Sequence, residues 1–203
     1  RCEAWLIEDD YDGAFRFGGR PLATLKSLDR DGRVIHIGSF SKILFPALRL
    51  GYMVLPPALR RAFVAAKWLE DRGCNALEQA ALARLMADGG LESHVRRATQ
   101  ILRERRNAML AGLRRHAGSA LEVLDSNAGL HMSAWLSHGS HADCQRLLQC
   151  ARQHGIGMDA VTPYSRQLNA RPGILLGYAA LAPLEIEAAL ALLGQCLDEV
   201  GLR

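Results

Sequence analysis

A small set of side chains near the start of the sequence carries complementary chemistry. Lys42 supplies a primary amine, the side-chain group that condenses with a carbonyl to form a Schiff base. Asp9 and Tyr11 supply a carboxylate and a phenol. A carboxylate beside a heterocyclic nitrogen favours the protonated form of that nitrogen through opposite charge. Ser39, just before Lys42, and Arg49, just after it, supply a hydroxyl and a guanidinium fork, donors suited to an anion such as a phosphate group. Taken singly, each residue also has an ordinary reading. Asp9 is then a solvated acid or cap after a strand, with Asp10 an equal rival. Lys42 is a surface lysine, the usual fate of that residue type. Arg49 pairs with any nearby carboxylate. Spacing alone favours these ordinary readings, because short motifs carry a high false-positive risk.

The elements that must position these groups are short apolar strands. Ala4-Trp5-Leu6-Ile7 runs into the acidic stretch Glu8-Asp9-Asp10 and reads as a buried strand with charged residues at its end. Val34-Ile35-His36-Ile37 leads directly into Gly38-Ser39-Phe40-Ser41-Lys42. Leu50 to Leu55 follows Arg49 and is closed by Pro56-Pro57. Each candidate therefore falls at a strand end, where open sheets bind ligands.

Helical spacing follows over Pro57 to Asp71, with proline suited to a first turn, over Ala76 to Ala87, and over Leu91 to His116. The last of these carries seven arginines, from Arg96 to Arg115. Interspersed Glu92 and Glu104 and a lack of aromatics make it a solvated face rather than a nucleic-acid surface. Beyond Gly118, strands are expected at 121–124, 130–135, 155–158 and 173–178, and helices at 142–154 and 183–200, the pattern of a smaller α+β lobe. The expected organisation is a partial large domain over 1–105 and a small α+β domain over 106–203. Trp5 and Met86 read as core or interface residues.

Bulk properties exclude several classes. With 203 residues, 49% of them hydrophobic and 23% charged, the chain has the composition of an ordinary globular protein. The net charge of +4 makes no case for nucleic-acid binding by this chain. There is no apolar run long enough to span a membrane. The opening Arg1-Cys2-Glu3-Ala4 lacks a secretory pattern and reads as a chain cut inside a domain. Five cysteines, an odd number without CxxC spacing, argue against a disulfide framework or a zinc site and for reduced thiols in the cytoplasm.

The blocks Glu8-Asp9-Asp10-Tyr11-Asp12 with Phe15-Arg16-Phe17, Ile37-Gly38-Ser39-Phe40-Ser41-Lys42, and Leu44-Phe45-Pro46-Ala47-Leu48-Arg49-Leu50-Gly51-Tyr52 resemble the MocR type of GntR-family transcriptional regulators. These join a winged-helix DNA-binding domain to an aminotransferase-like domain. The resemblance is dense over residues 1–57 and looser to the end. It implies an α/β fold, the C-terminal portion of a fold-type-I domain dependent on pyridoxal 5'-phosphate (PLP), with a mixed, mostly parallel sheet and a small α+β lobe. It implies Lys42 as the Schiff-base lysine, Asp9 facing the pyridine nitrogen, Tyr11 the phenolic oxygen, and Ser39 and Arg49 the phosphate, with Ser41 a weaker candidate. It further implies a homodimer, an amine or amino-acid ligand, and DNA contact only through a domain that this chain does not contain. A class I/II aminotransferase is the alternative.

Two departures from the family pattern stand out. The glycine-rich phosphate loop, the ring-stacking aromatic and an asparagine near the phenolic oxygen come from the first half of such domains and have no counterpart here. On that ground the chain by itself is expected to hold PLP weakly or not at all. The late strand that carries a substrate-carboxylate arginine in aminotransferases has Leu175 in that place, with Arg171 and Arg166 as substitutes nearby.

Overall fold

In the computed structural model, residues 4–18, 23–124, 127–166 and 171–203 are described. Cys2 lies outside them. The chain divides into two units, residues 1–97 and 98–203, and the division falls inside its longest helix.

Unit 1 is built on a three-stranded sheet ordered β1 (Leu6–Asp10), β2 (Val34–Ser39), β3 (Gly51–Val54). β1 runs parallel to β2 and β3 antiparallel to it, so the sheet is mixed. β2 is central, and its Val34, Ile35 and His36 are buried. β1 starts later than its apolar run suggests and includes the acidic residues, because it is an edge strand whose side chains face solvent as well as protein. A single helical turn, α1 (Leu25–Leu28), precedes β2. Thr24 caps it by accepting Ser27 N–H at 3.0 Å. Two helices follow β3, α2 (Pro57–Asp71) and α3 (Ala76–Ala87), and α4 (Gly90–His116) crosses the unit division.

Phe15 and Phe17 anchor the small core of this unit at 2% and 8% exposure. Much apolar surface remains open: Ile7 is 69% exposed, Trp68 64% and Leu77 80%. Trp5 and Met86, expected to be buried, are also exposed. Trp5 instead lies under the Arg33 guanidinium, 5.7 Å from its ring centroid.

Unit 2 has a four-stranded antiparallel sheet ordered β4 (Leu121–Val123), β5 (His131–Leu136), β7 (Gly173–Gly177), β6 (Asp159–Ala160). α5 (His141–Gln153) and α6 (Pro183–Val200) accompany it. A reciprocal cap starts α5, where Ser140 Oγ accepts Asp143 N–H and Asp143 accepts Ser140 N–H. The strand expected at 155–158 is absent. Gly155 adopts φ +78° and Ile156 N–H returns to Ala151 O at 2.8 Å, which closes α5 and delays the strand to Asp159. The core is well sealed: Ala134, Leu147, Ile174, Ile186, Cys196 and Leu197 have 0% exposure. Three arginines of α4 in this unit hold protein groups. Arg105 donates to Ala179 O, Arg106 is buried and donates to Asn127, and Arg115 pairs with Glu187.

Candidate functional site

Three consecutive acids on β1 have different fates. Glu8 Oε1 accepts Leu25 N–H at 2.7 Å, and Oε2 accepts Lys26 N–H at 3.0 Å and meets His36 Nδ1 at 3.0 Å. Burial works to raise the Glu8 carboxyl, but these bonds outweigh it and hold the group below the ordinary carboxylate range. Asp10 accepts Gly13 N–H at 2.9 Å and shapes the turn after the strand. Asp9 makes no hydrogen bond or ion pair to another described residue, and its side chain is exposed.

Register fixes what lies near Asp9. It sits opposite Ile37 of β2, which in turn sits opposite Met53 of β3. Side chains alternate along a strand, so Asp9, Ile37 and Ser39 belong to one face, and Glu8 and Asp10 to the other. Ser39 pairs with Gly51, the residue two after Arg49. The C-terminal ends of β1 and β2 and the start of β3 therefore meet at one edge of the sheet, and the loop of Lys42 leaves from that edge.

That loop is held by its own backbone. Ser39 Oγ accepts Ser41 N–H at 3.2 Å, Phe40 N–H donates to Leu50 O at 3.0 Å, and Leu44 N–H to Phe40 O at 2.8 Å. His94 of α4 sits 2.8 Å from Ile43 O, and since a carbonyl only accepts, Nε2 carries the proton. Nothing in the sequence singled out His94, which braces the residue after Lys42. The Lys42 side chain is exposed and has no partner among the described residues.

Arg49 follows a short 3-10 turn and takes a left-handed conformation, φ +50° and ψ 32°, unusual for a residue with a side chain. It lines an open cavity of about 670 Å³ with Phe40, Lys67, Asp71, Asn75 and Gln79. The other four candidates do not line that cavity. Partial burial, with the negative charges of Asp12 and Asp9, raises the Tyr11 phenol above its ordinary value. It therefore stays a protonated donor at neutral pH.

In unit 2, Leu175 is a half-buried member of β7 opposite Ser133 and Asp159. Arg171 is engaged: Nε donates to Leu136 O at 3.1 Å and the guanidinium pairs with Glu122. Arg166 is exposed.

Comparison with known proteins gives these arrangements a setting. Residues 2–174 match the aminotransferase class I and II family. The chain is 36% identical over 186 residues to the probable rhizopine catabolism regulatory protein MocR of Rhizobium meliloti, covering 90% of this chain and 37% of that protein. It is 34% identical to the uncharacterized HTH-type transcriptional regulator YhdI of Bacillus subtilis, covering 90% of this chain and 39% of that one. Among solved structures, kynurenine aminotransferase from Pyrococcus horikoshii, in complex with PMP, KYN as substrates and KYA as products, superposes with a TM-score of 0.87 at 28% identity, covering 96% of this chain and 48% of that one. The chain thus spans well under half of the regulators it matches.

Proposed function

Because this chain belongs to the aminotransferase class I and II family, with the fold-type-I architecture, we propose that it is the PLP-binding effector part of a MocR-type transcriptional regulator that senses an amine or amino acid. The observation that carries this reading is the parallel register of β1 on β2. It gathers a carboxylate, a hydroxyl and a lysine loop at the carboxyl ends of two adjacent strands, where open sheets take ligands.

PLP is the cofactor that family membership implies, and the chemistry of the donor set fits it. When bound, PLP supplies an aldehyde that condenses with primary amines and a ring that withdraws electrons. Lys42 would offer the amine. Asp9, whose side chain has no partner among the described residues while Glu8 and Asp10 are both engaged, would hold the proton on the ring nitrogen. Tyr11, kept protonated, would donate to the phenolic oxygen. Arg49 and Ser39 would take the phosphate, the arginine through its fork. Residues from a second copy and from the rest of the full-length protein would complete the pocket, and DNA contact belongs to another domain of it. Such a regulator works in the cytoplasm, and none of the helices described is long and apolar enough to cross a membrane.

The alternative is an aminotransferase, favoured by the superposition on a kynurenine aminotransferase. Leu175 in β7 and the engagement of Arg171 with Glu122 argue against it, since neither position then offers a free cation to the amino-acid carboxylate. The deciding experiment uses the full-length protein with PLP. Visible cofactor absorbance that disappears in Lys42→Ala supports the lysine assignment, and absorbance retained in that variant refutes it. Addition of amino donors should change the spectrum and DNA affinity without catalytic release of keto acid. Turnover would favour the enzyme.

A further inference from the structure

Unit 2 holds another group of reactive side chains, none of them a residue discussed above as a cofactor ligand. On α5, Cys150 and His154 are one helical turn apart and share a stripe, with His154 at the C-cap. On α6, Cys196 and Glu199 share a stripe near the end of the helix. The two helices pack together, and their stripes meet. One ligand atom from each of Cys150, His154 and Cys196 lies within 4.8 Å of the others. Glu199 Oε2 is 3.3 Å from Cys150 Sγ, and Oε1 is 3.5 Å from His154 Nε2.

These separations can be set against a metal. A tetrahedral zinc, with Zn–S near 2.3 Å and Zn–N or Zn–O near 2.0–2.1 Å, places its ligand atoms about 3.3–3.8 Å apart. Both contacts of Glu199, at 3.3 Å and 3.5 Å, fall in that range, and the ligand atoms of Cys150, His154 and Cys196 lie within 4.8 Å of one another without an ion. The remaining buried cysteine described in this unit shows the contrast: Cys144 Sγ donates to Gly173 O inside the apolar core. Packing alone gives no reason to gather two thiols, an imidazole and a carboxylate. The cluster also lies where α5 and α6 both end, and the carbonyls of last turns carry partial negative charge that favours a cation. Cys196 is fully buried, Cys150 nearly so, and the side chains of His154 and Glu199 are 34% and 57% exposed, which leaves a route from solvent.

We propose that Cys150, His154, Cys196 and Glu199 form a zinc site that ties the C-terminal ends of α5 and α6 together. Thiolate, imidazole and carboxylate ligands together suit Zn²⁺ better than the harder divalent cations. Loading forms two Zn–S bonds as each thiol gives up its proton to solvent, with no change of oxidation state. Four protein ligands leave no open position, so the role is structural. The site uses no residue of unit 1, so it stands or falls separately from the cofactor reading.

The test is titration of the reduced, metal-free protein with Zn²⁺ at neutral pH, repeated with Co²⁺ as a spectroscopic probe. One ion per chain should bind at micromolar concentration or below, Co²⁺ should show thiolate charge-transfer absorption with tetrahedral d–d bands, and the melting temperature should rise. Cys196→Ser should remove charge-transfer intensity. His154→Ala and Glu199→Gln, at part-exposed positions, should keep the fold by circular dichroism and each weaken binding by roughly 10–100-fold. If Cys196→Ser fails to fold, the His154→Ala comparison decides alone. Absence of binding under a large excess of Zn²⁺, unchanged affinity in folded His154→Ala, or an octahedral Co²⁺ spectrum without thiolate absorption overturns the site.

Discussion

The carboxylate of Asp10 accepts the backbone N–H of Gly13 at 2.9 Å, and a Cβ built on Gly13 would lie 2.1 Å from that same oxygen. Asp10 is therefore committed to the turn after β1, while its neighbour Asp9 keeps its acceptors free of described protein groups. The two acids are expected to respond oppositely to truncation. Asp10→Ala should cost about 0.5–1.5 kcal/mol of stability in urea and leave PLP affinity of the full-length protein nearly unchanged. Asp9→Ala should leave stability nearly unchanged and weaken PLP binding about tenfold or more, one pKa unit of ring-nitrogen stabilisation being worth a factor of ten. The reverse pattern would move the pyridine partner to Asp10.

Arg49 allows a similar separation of backbone from side chain. Its left-handed conformation costs a residue with a Cβ about 1 kcal/mol, and glycine avoids that cost. Arg49→Gly is expected to hold stability or raise it by up to about 1 kcal/mol while weakening cofactor binding. Fluorescence titration with PLP alongside a denaturation curve reads both. Cofactor affinity equal to that of the parent protein would remove Arg49 from the phosphate site.

Asp29 is expected to contribute to the acid sensitivity of unit 1. It accepts the N–H groups of Arg33 and Val34, both at 2.9 Å, and Lys26 Nζ at 3.2 Å. These bonds lower its carboxyl from 3.8 to about 2. The folded state is thus the stronger acid. The stabilisation is present above about pH 4, where the unfolded group is ionised, and is lost as pH falls toward about 2. Asp29→Asn should flatten the pH dependence of the melting temperature in that window. A slope identical to that of the parent chain would show that the carboxylate does not contribute.

Gly194 lies in the interior of α6, where alanine would ordinarily add about 1 kcal/mol of helix stability. Here an added Cβ would meet the backbone oxygen of His116 at 2.7 Å. Backbone cannot yield as a side-chain tip can, so Gly194→Ala should destabilise unit 2 by about 1–3 kcal/mol. An increase in melting temperature would show that the helices shift apart at little cost.

Several elements were legible from residue types alone. Pro57 at a first turn and the apolar spacing after it place α2 from Pro57 to about Asp71, and α3 matches its expected span. The strand ends that carry Asp9, Ser39 and Arg49 follow from apolar runs stopped by polar residues. Other features depend on contacts that spacing does not encode. Alternation puts Asp9 and Asp10 on opposite faces, but only the turn at Gly13 shows which acid is occupied. The strand expected at 155–158 failed because Gly155 and Ile156 finish the preceding helix, a local bond that outcompetes sheet pairing. α1 is too short for periodicity to reveal. The sequence spacing of Cys150 and Cys196 does not show their proximity, because tertiary packing of α5 on α6 brings them near one another.

The position of β1 at the margin of its sheet has a practical consequence. One side of this strand is bonded to β2, and among the described residues no strand takes the other. Its outward amides and carbonyls, beside an Ile7 that is 69% exposed, form a template on which a second extended segment can dock. The chain handled by itself should therefore scatter more light as its concentration rises, and a charged substitution such as Ile7→Lys should suppress that association without touching the core of either unit.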